Sequence, residues 1–176
     1  MIPPLLPPAE LLRQLKTRIE SEIENFWLYP ARRAVKGFFG TAPITIVGWR
    51  PSWSSFPDEG ANKLYYDILT GCGLENAHLT NFVKSRGRKD DPDPTDMRLH
   101  EEIFLRELEI VSGYRAVVPM GPAYEKVSGL LSAHGIRPIY RLRQYASMNY
   151  GADKVEEFRH ETNELSAIAR REGWIT

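Results

Sequence analysis

From residue 44 onward, short apolar runs alternate with amphipathic stretches, and this order constrains the fold more than any other feature of the chain. Ile44-Thr45-Ile46-Val47 is short and β-branched and reads as a buried strand, as do Ala77–Val83, Ala116-Val117-Val118 and Ile136–Leu142. Between them lie helical patterns. Asn62–Leu69 is stopped by Gly71 and Gly73. Asp93 is expected to cap a helix with Pro94 in its first turn and Leu99, Ile103 and Leu108 facing inward as far as Gly113. Pro122–Ala133 is closed by Gly135, and Ala152–Arg171 turns Val155, Phe158, Leu165 and Ile168 inward. Strands separated by helices pair in parallel, because parallel neighbours need a crossover and right-handed crossovers return helices to both faces. The expected fold is α/β: a three-layer αβα sandwich around a central, mostly parallel four-stranded sheet.

Ahead of the sheet, Pro8 opens a helix whose Leu11, Leu15, Ile19 and Ile23 share one face and which ends near Phe26. Asn25–Gly40 has no regular period and reads as a surface loop with aromatic anchors. A length of 176 residues fits one domain, with an arm and helix over 1–40, the sheet core over 41–151 and a terminal helix over 152–176. No run is long and apolar enough for a membrane span, and Met1–Pro8 has neither the basic flank nor the apolar core of a secretory signal, so a soluble, cytoplasmic monomer is expected. The lone Cys72 excludes an internal disulfide, a four-cysteine iron–sulfur cluster and a cysteine-rich zinc site. His78, His100, His134 and His160 have no metal-ligand spacing and read as ordinary surface or core residues, so neither a metal nor a cofactor is expected. With 23 basic and 23 acidic side chains, any grip on nucleic acid must be local rather than global.

Ligands of such sheets bind at the carboxyl ends of the strands. Those ends carry Gly48-Trp49-Arg50-Pro51-Ser52, Thr80-Asn81-Phe82-Val83-Lys84, Gly121-Pro122-Ala123 and Arg143-Gln144-Tyr145-Ala146-Ser147. Over residues 42–151, four features in order resemble the uracil-DNA glycosylase superfamily. They are Ile46-Val47-Gly48-Trp49-Arg50-Pro51-Ser52; Phe56 followed by Ala61-Asn62-Lys63-Leu64-Tyr65; Leu79-Thr80-Asn81-Phe82-Val83-Lys84 followed by Asp93-Pro94-Thr95; and Tyr145-Ala146-Ser147-Met148-Asn149. The second is similar to the mismatch-specific uracil/thymine branch and the third to the thermophilic branch, without the iron–sulfur cysteines.

The resemblance implies a protein that takes a flipped uracil or related damaged base from single-stranded or mismatched DNA and hydrolyses its N-glycosidic bond in base excision repair, with no cofactor. It places Gly48, Trp49, Phe56 and Asn81 around the base, and Ser52, Lys84, Arg143 and Ser147 near phosphate. Phe56 would stack on the ring. The Asn81 carboxamide accepts from uracil N3–H while donating to O4, and cytosine presents the opposite pattern. Two positions depart from the family. Trp49 and Arg50 stand where active relatives usually carry a group that acts on water, and Tyr145 stands where a histidine donates toward the leaving base. Arg50 is always cationic and suits a departing base anion rather than a base role. Tyr145 can donate, and Asp58 and Glu59 are the nearest carboxylates for water. Two other readings stay open: a homologue that binds nucleic acid or a nucleotide without hydrolysis, and an enzyme of free nucleosides or anionic small molecules. Each residue also has a plainer role. Gly48 and Pro51 can make a simple turn, Phe56 can be core, Asn81 can satisfy backbone and Arg50 can pair structurally. The Lys84–Lys89 run can neutralise itself against Asp90, Asp91 and Asp93.

Overall fold

The computed structural model describes residues 6–111, 116–138 and 140–176. Its centre is a parallel sheet in which β1 (Thr45–Gly48) lies between β2 (His78–Asn81) and β3 (Val117–Pro119). Among the described residues there are five α-helices: α1 (Pro8–Glu22), α2 (Gly60–Gly71), α3 (Met97–Val111), α4 (Ala123–Ala133) and α5 (Ala152–Arg171). Side chains alternate across a strand. Ile46, Leu79 and Val118 therefore face one way, against Tyr65, Ile68 and Leu69 of α2 and Phe158 and Leu165 of α5. Val47 and Val117 face the other, against Phe104 and Leu108 of α3 and Val127 and Leu131 of α4. The result is a mixed α/β sandwich with helices on both faces. α1 lies outside it, laying Leu12, Leu15 and Ile19 on Ile103 and Val111 of α3.

Among the described residues, the expected fourth strand is reduced to one parallel bridge, Met120 with Leu142. Leu142 N–H donates to the Pro119 carbonyl at 3.1 Å, and Gly121 N–H to the Leu142 carbonyl at 2.8 Å. The N and C=O of one strand residue point the same way, so the nitrogen of Pro119 faces the same segment with no hydrogen to give, and Pro138 removes a second donor. The ladder cannot lengthen past those two positions. The α3 start also differs. The side chain of Asp96, not Asp93, accepts from Leu99 N–H at 3.2 Å, and the helix begins at Met97. The expected stop at Gly113 lies outside the described residues.

β1 connects to β2 on one side, and the chain then crosses from β2 to β3 on the other, so the strand order reverses about β1, where ligands of such sheets bind. Gly48 ends β1 at that switch point. No helix among the described residues is long and apolar enough to cross a membrane.

Candidate functional site

Gly48 and Asn81 are register partners at the ends of β1 and β2. Both follow the Ile46 and Leu79 face, so they stand above the apolar layer that covers α2 and α5. The Asn81 carboxamide leans over Gly48: a side chain at 48 would overlap Asn81 Oδ1, so glycine is what allows this approach. Asn81 is only 5% exposed, yet among the described residues no hydrogen bond engages its carboxamide. Its backbone carbonyl is held instead, by Lys84 Nζ. With no partner among the described residues and neither atom sealed from solvent, the carboxamide is open to water or to a ligand at the strand end.

An aromatic wall stands beside this pair. Phe56, half-buried, meets Trp27, Tyr29 and Tyr145 with ring centroids 5.1, 6.0 and 6.2 Å away, and Tyr29 OH lies 3.6 Å from where a Gly48 side chain would begin. Both Arg32 guanidinium nitrogens donate to the Phe56 carbonyl at 3.2 Å, and the cation sits 5.4 Å over the Phe56 ring, fixing the loop that carries it. Tyr145 stacks on Tyr65 at 4.7 Å, and burial pushes its hydroxyl up to about 12, so it stays protonated. Gly48, Asn81, Phe56 and Tyr145 thus belong to one side of the sheet.

The remaining candidates lie elsewhere. Trp49, one residue past Gly48, points to the opposite face, stacked on Phe82 at 5.4 Å with Lys126 Nζ 4.2 Å over its ring. Arg50 serves a loop: its guanidinium donates to the carbonyls of Pro92 at 3.0 Å and of Ser85 and Arg86 at 3.4 Å, against Gly87, where any side chain would overlap it. Ser52 is exposed and pairs with Ser54 at 2.8 Å. Asp58 is ion-paired to Arg33 at 2.9 Å, which holds its carboxyl below the usual range. Glu59, exposed at the N-terminus of α2, has no ion pair among the described residues.

Three of the four phosphate candidates are corrected by their surroundings. Lys84 is fully buried, donating to Thr80 Oγ1 at 2.7 Å and Glu107 Oε2 at 2.8 Å. An ammonium with those partners cannot reach a phosphate. Arg143 is committed to Glu157 and to Glu161 at 2.8 Å, with its backbone N–H also donating to Glu161. Ser147 Oγ is sealed from solvent and unpartnered.

The Lys84–Glu107 pair belongs to a buried polar cluster on the α3 side, which the sequence did not reveal. His78 Nε2 is 3.6 Å from Glu107, and His100 Nδ1 accepts from Lys84 N–H at 3.2 Å. Burial opposes ionisation of Glu107, but Lys84 and His78 outweigh it and hold its carboxyl below the ordinary value. Burial lowers Lys84, with Glu107 resisting, and burial together with Lys84 brings His100 down to about 4. Tyr29, Trp27 and Arg32 were also missed. The only signal was the aromatic density of Phe26-Trp27-Leu28-Tyr29 in a stretch without a period. A groove of about 410 Å³ between α1 and α3, lined by Leu11, Arg18, Glu102 and Leu105 among others, contains none of the candidate residues. Among the described residues no group of three or more His, Cys, Asp or Glu is placed to hold a metal ion. Comparison with protein-family models and with curated proteins gives no match.

Proposed function

We propose that this chain is a uracil-DNA glycosylase-like protein that recognises a flipped uracil or related damaged base and hydrolyses its N-glycosidic bond. One observation carries the reading: the nearly buried, unpartnered carboxamide of Asn81 over Gly48, beside the edge of an aromatic wall that includes Phe56. A planar ring slid against that wall would offer its imide edge to an amide already fixed through its backbone. DNA, single-stranded or mismatched, is the proposed partner, with the protein acting as a cytoplasmic monomer in base excision repair. For hydrolysis, Glu59 is the one candidate carboxylate not held in an ion pair, and so the one free to act on water.

A second reading, recognition without hydrolysis, is favoured by the commitment of Arg50 to three backbone carbonyls and of Asp58 to Arg33. Single-turnover incubation with uracil-containing single strands and mismatched duplexes separates the two. Release of uracil with an abasic product supports the glycosylase. Tight uracil-dependent binding with no abasic product supports the second reading, and no preference for uracil in either binding or cleavage rejects both.

A further inference from the structure

The stretch between α1 and β1 carries none of the four motifs, yet it closes the site. Phe26 bridges Ser85 in antiparallel fashion, Trp27 N–H donates to the Lys84 carbonyl at 2.9 Å, and Arg86 N–H donates to the Asn25 carbonyl at 3.0 Å. Residues 25–27 are thereby strapped to the loop just beyond Asn81. Further on, Phe38 N–H donates to the Tyr29 carbonyl at 3.0 Å and Tyr66 OH to the Pro30 carbonyl at 2.8 Å. Gly37, at φ +60°, packs so closely on the Tyr29 and Pro30 backbone that a side chain there would overlap it. Backbone bonds therefore grip Tyr29 from both sides.

The ring of Tyr29 is packed by Trp27 at 4.7 Å, Phe56 at 6.0 Å and Tyr65 at 6.2 Å. A phenylalanine would fill that space equally well. The hydroxyl is the surplus group: among the described residues no hydrogen bond engages it, although Tyr29 is only 5% exposed. It converges with the Asn81 carboxamide on the space above Gly48. Neither group is sealed from solvent, so water can serve both until a ligand that bonds to both displaces it.

We propose that Tyr29 is a specificity-determining residue whose hydroxyl donates to the ring carbonyl that Asn81 leaves unread. This rests on the base-reading role of Asn81 stated above. Asn81 takes the N3–H and O4 of a uracil-like ring, which leaves O2 as the acceptor for a second donor. Burial drives the Tyr29 phenol well above its ordinary value, so it remains a donor throughout the physiological range. The ligand class narrows to a planar six-membered imide with a carbonyl on each side of the N–H.

The test compares wild type, Tyr29→Phe and Asn81→Asp for binding to a single-stranded oligonucleotide carrying one uracil, and to the same strand carrying 2-thiouracil, whose sulfur accepts poorly. Tyr29→Phe should bind the uracil strand about tenfold more weakly while keeping the wild-type melting temperature. Wild type should prefer uracil over 2-thiouracil, and Tyr29→Phe should lose that preference. Equal affinity of wild type and Tyr29→Phe, with Asn81→Asp still impaired, would overturn the assignment of Tyr29 and leave base reading intact. If wild type does not favour the uracil strand over a uracil-free control, base reading and the Tyr29 assignment both fall.

Discussion

At the scale of single residues, the carboxamide of Asn81 concentrates the functional argument, because replacing its NH2 by a second oxygen changes the hydrogen-bond pattern and little of the shape. Asn81→Asp is expected to shift preference from uracil toward cytosine, measured as the ratio of affinities for strands carrying one or the other. An unchanged ratio would remove Asn81 from the site. The residue scale also shows what a sequence conveys and what it hides. The placement of Asn81 and Gly48 at neighbouring strand ends was legible, because strand ends follow from the apolar runs before them. Lys84 and Arg143 were misread because a sequence displays a charge but not its partner. Glu107 is 23 residues from Lys84, and Glu157 and Glu161 are 14 and 18 from Arg143. Only the fold brings each cation to its carboxylate.

At the scale of elements, β2 and α3 are joined by the buried ion pair between the loop after β2 and α3. Lys84→Met leaves the Glu107 carboxylate buried without its cation, and a loss of about 3–5 kcal/mol is expected in urea denaturation. Lys84→Met combined with Glu107→Leu should recover much of that loss, because two apolar groups need no compensation. His100 gives the same region a pH dependence. Its folded value of about 4 lies below the ordinary 6.5, so the folded state binds fewer protons in that window. Stability contributed by neutral His100 is therefore present above about pH 6.5 and is lost as the pH falls toward 4. His100→Asn, which keeps an acceptor for Lys84 N–H, should flatten the denaturation midpoint between those limits. The sandwich itself was legible in the alternation of apolar runs with helical periods. The fourth strand was over-read, because an apolar run such as Ile136–Leu142 signals burial and not the donors a ladder requires.

At the scale of the whole molecule, net charge is zero, and the internal commitment of Arg50, Lys84 and Arg143 removes three cations near the strand ends from a nucleic-acid backbone. Of the cations in the 84–89 run, only Arg88 and Lys89 have side chains without an ion pair or hydrogen bond among the described residues. At roughly −0.7 per phosphate neutralised on a single strand, log affinity against log salt should have a slope shallower than about −2. Titration of a uracil-containing strand at several salt concentrations measures it, and a slope near −5 would show a footprint that extends well beyond this run.

The Arg50 clasp has a practical corollary for anyone reshaping the entrance. Ser52 bridges Gly87, Trp53 N–H reaches the Gly87 carbonyl, and the guanidinium of Arg50 is threaded between Ser85 and Pro92. Two segments far apart in the chain are sewn into a single rim. Grafting one of them alone from another protein would leave the stitches without cloth on the far side, so the pair has to be transplanted together.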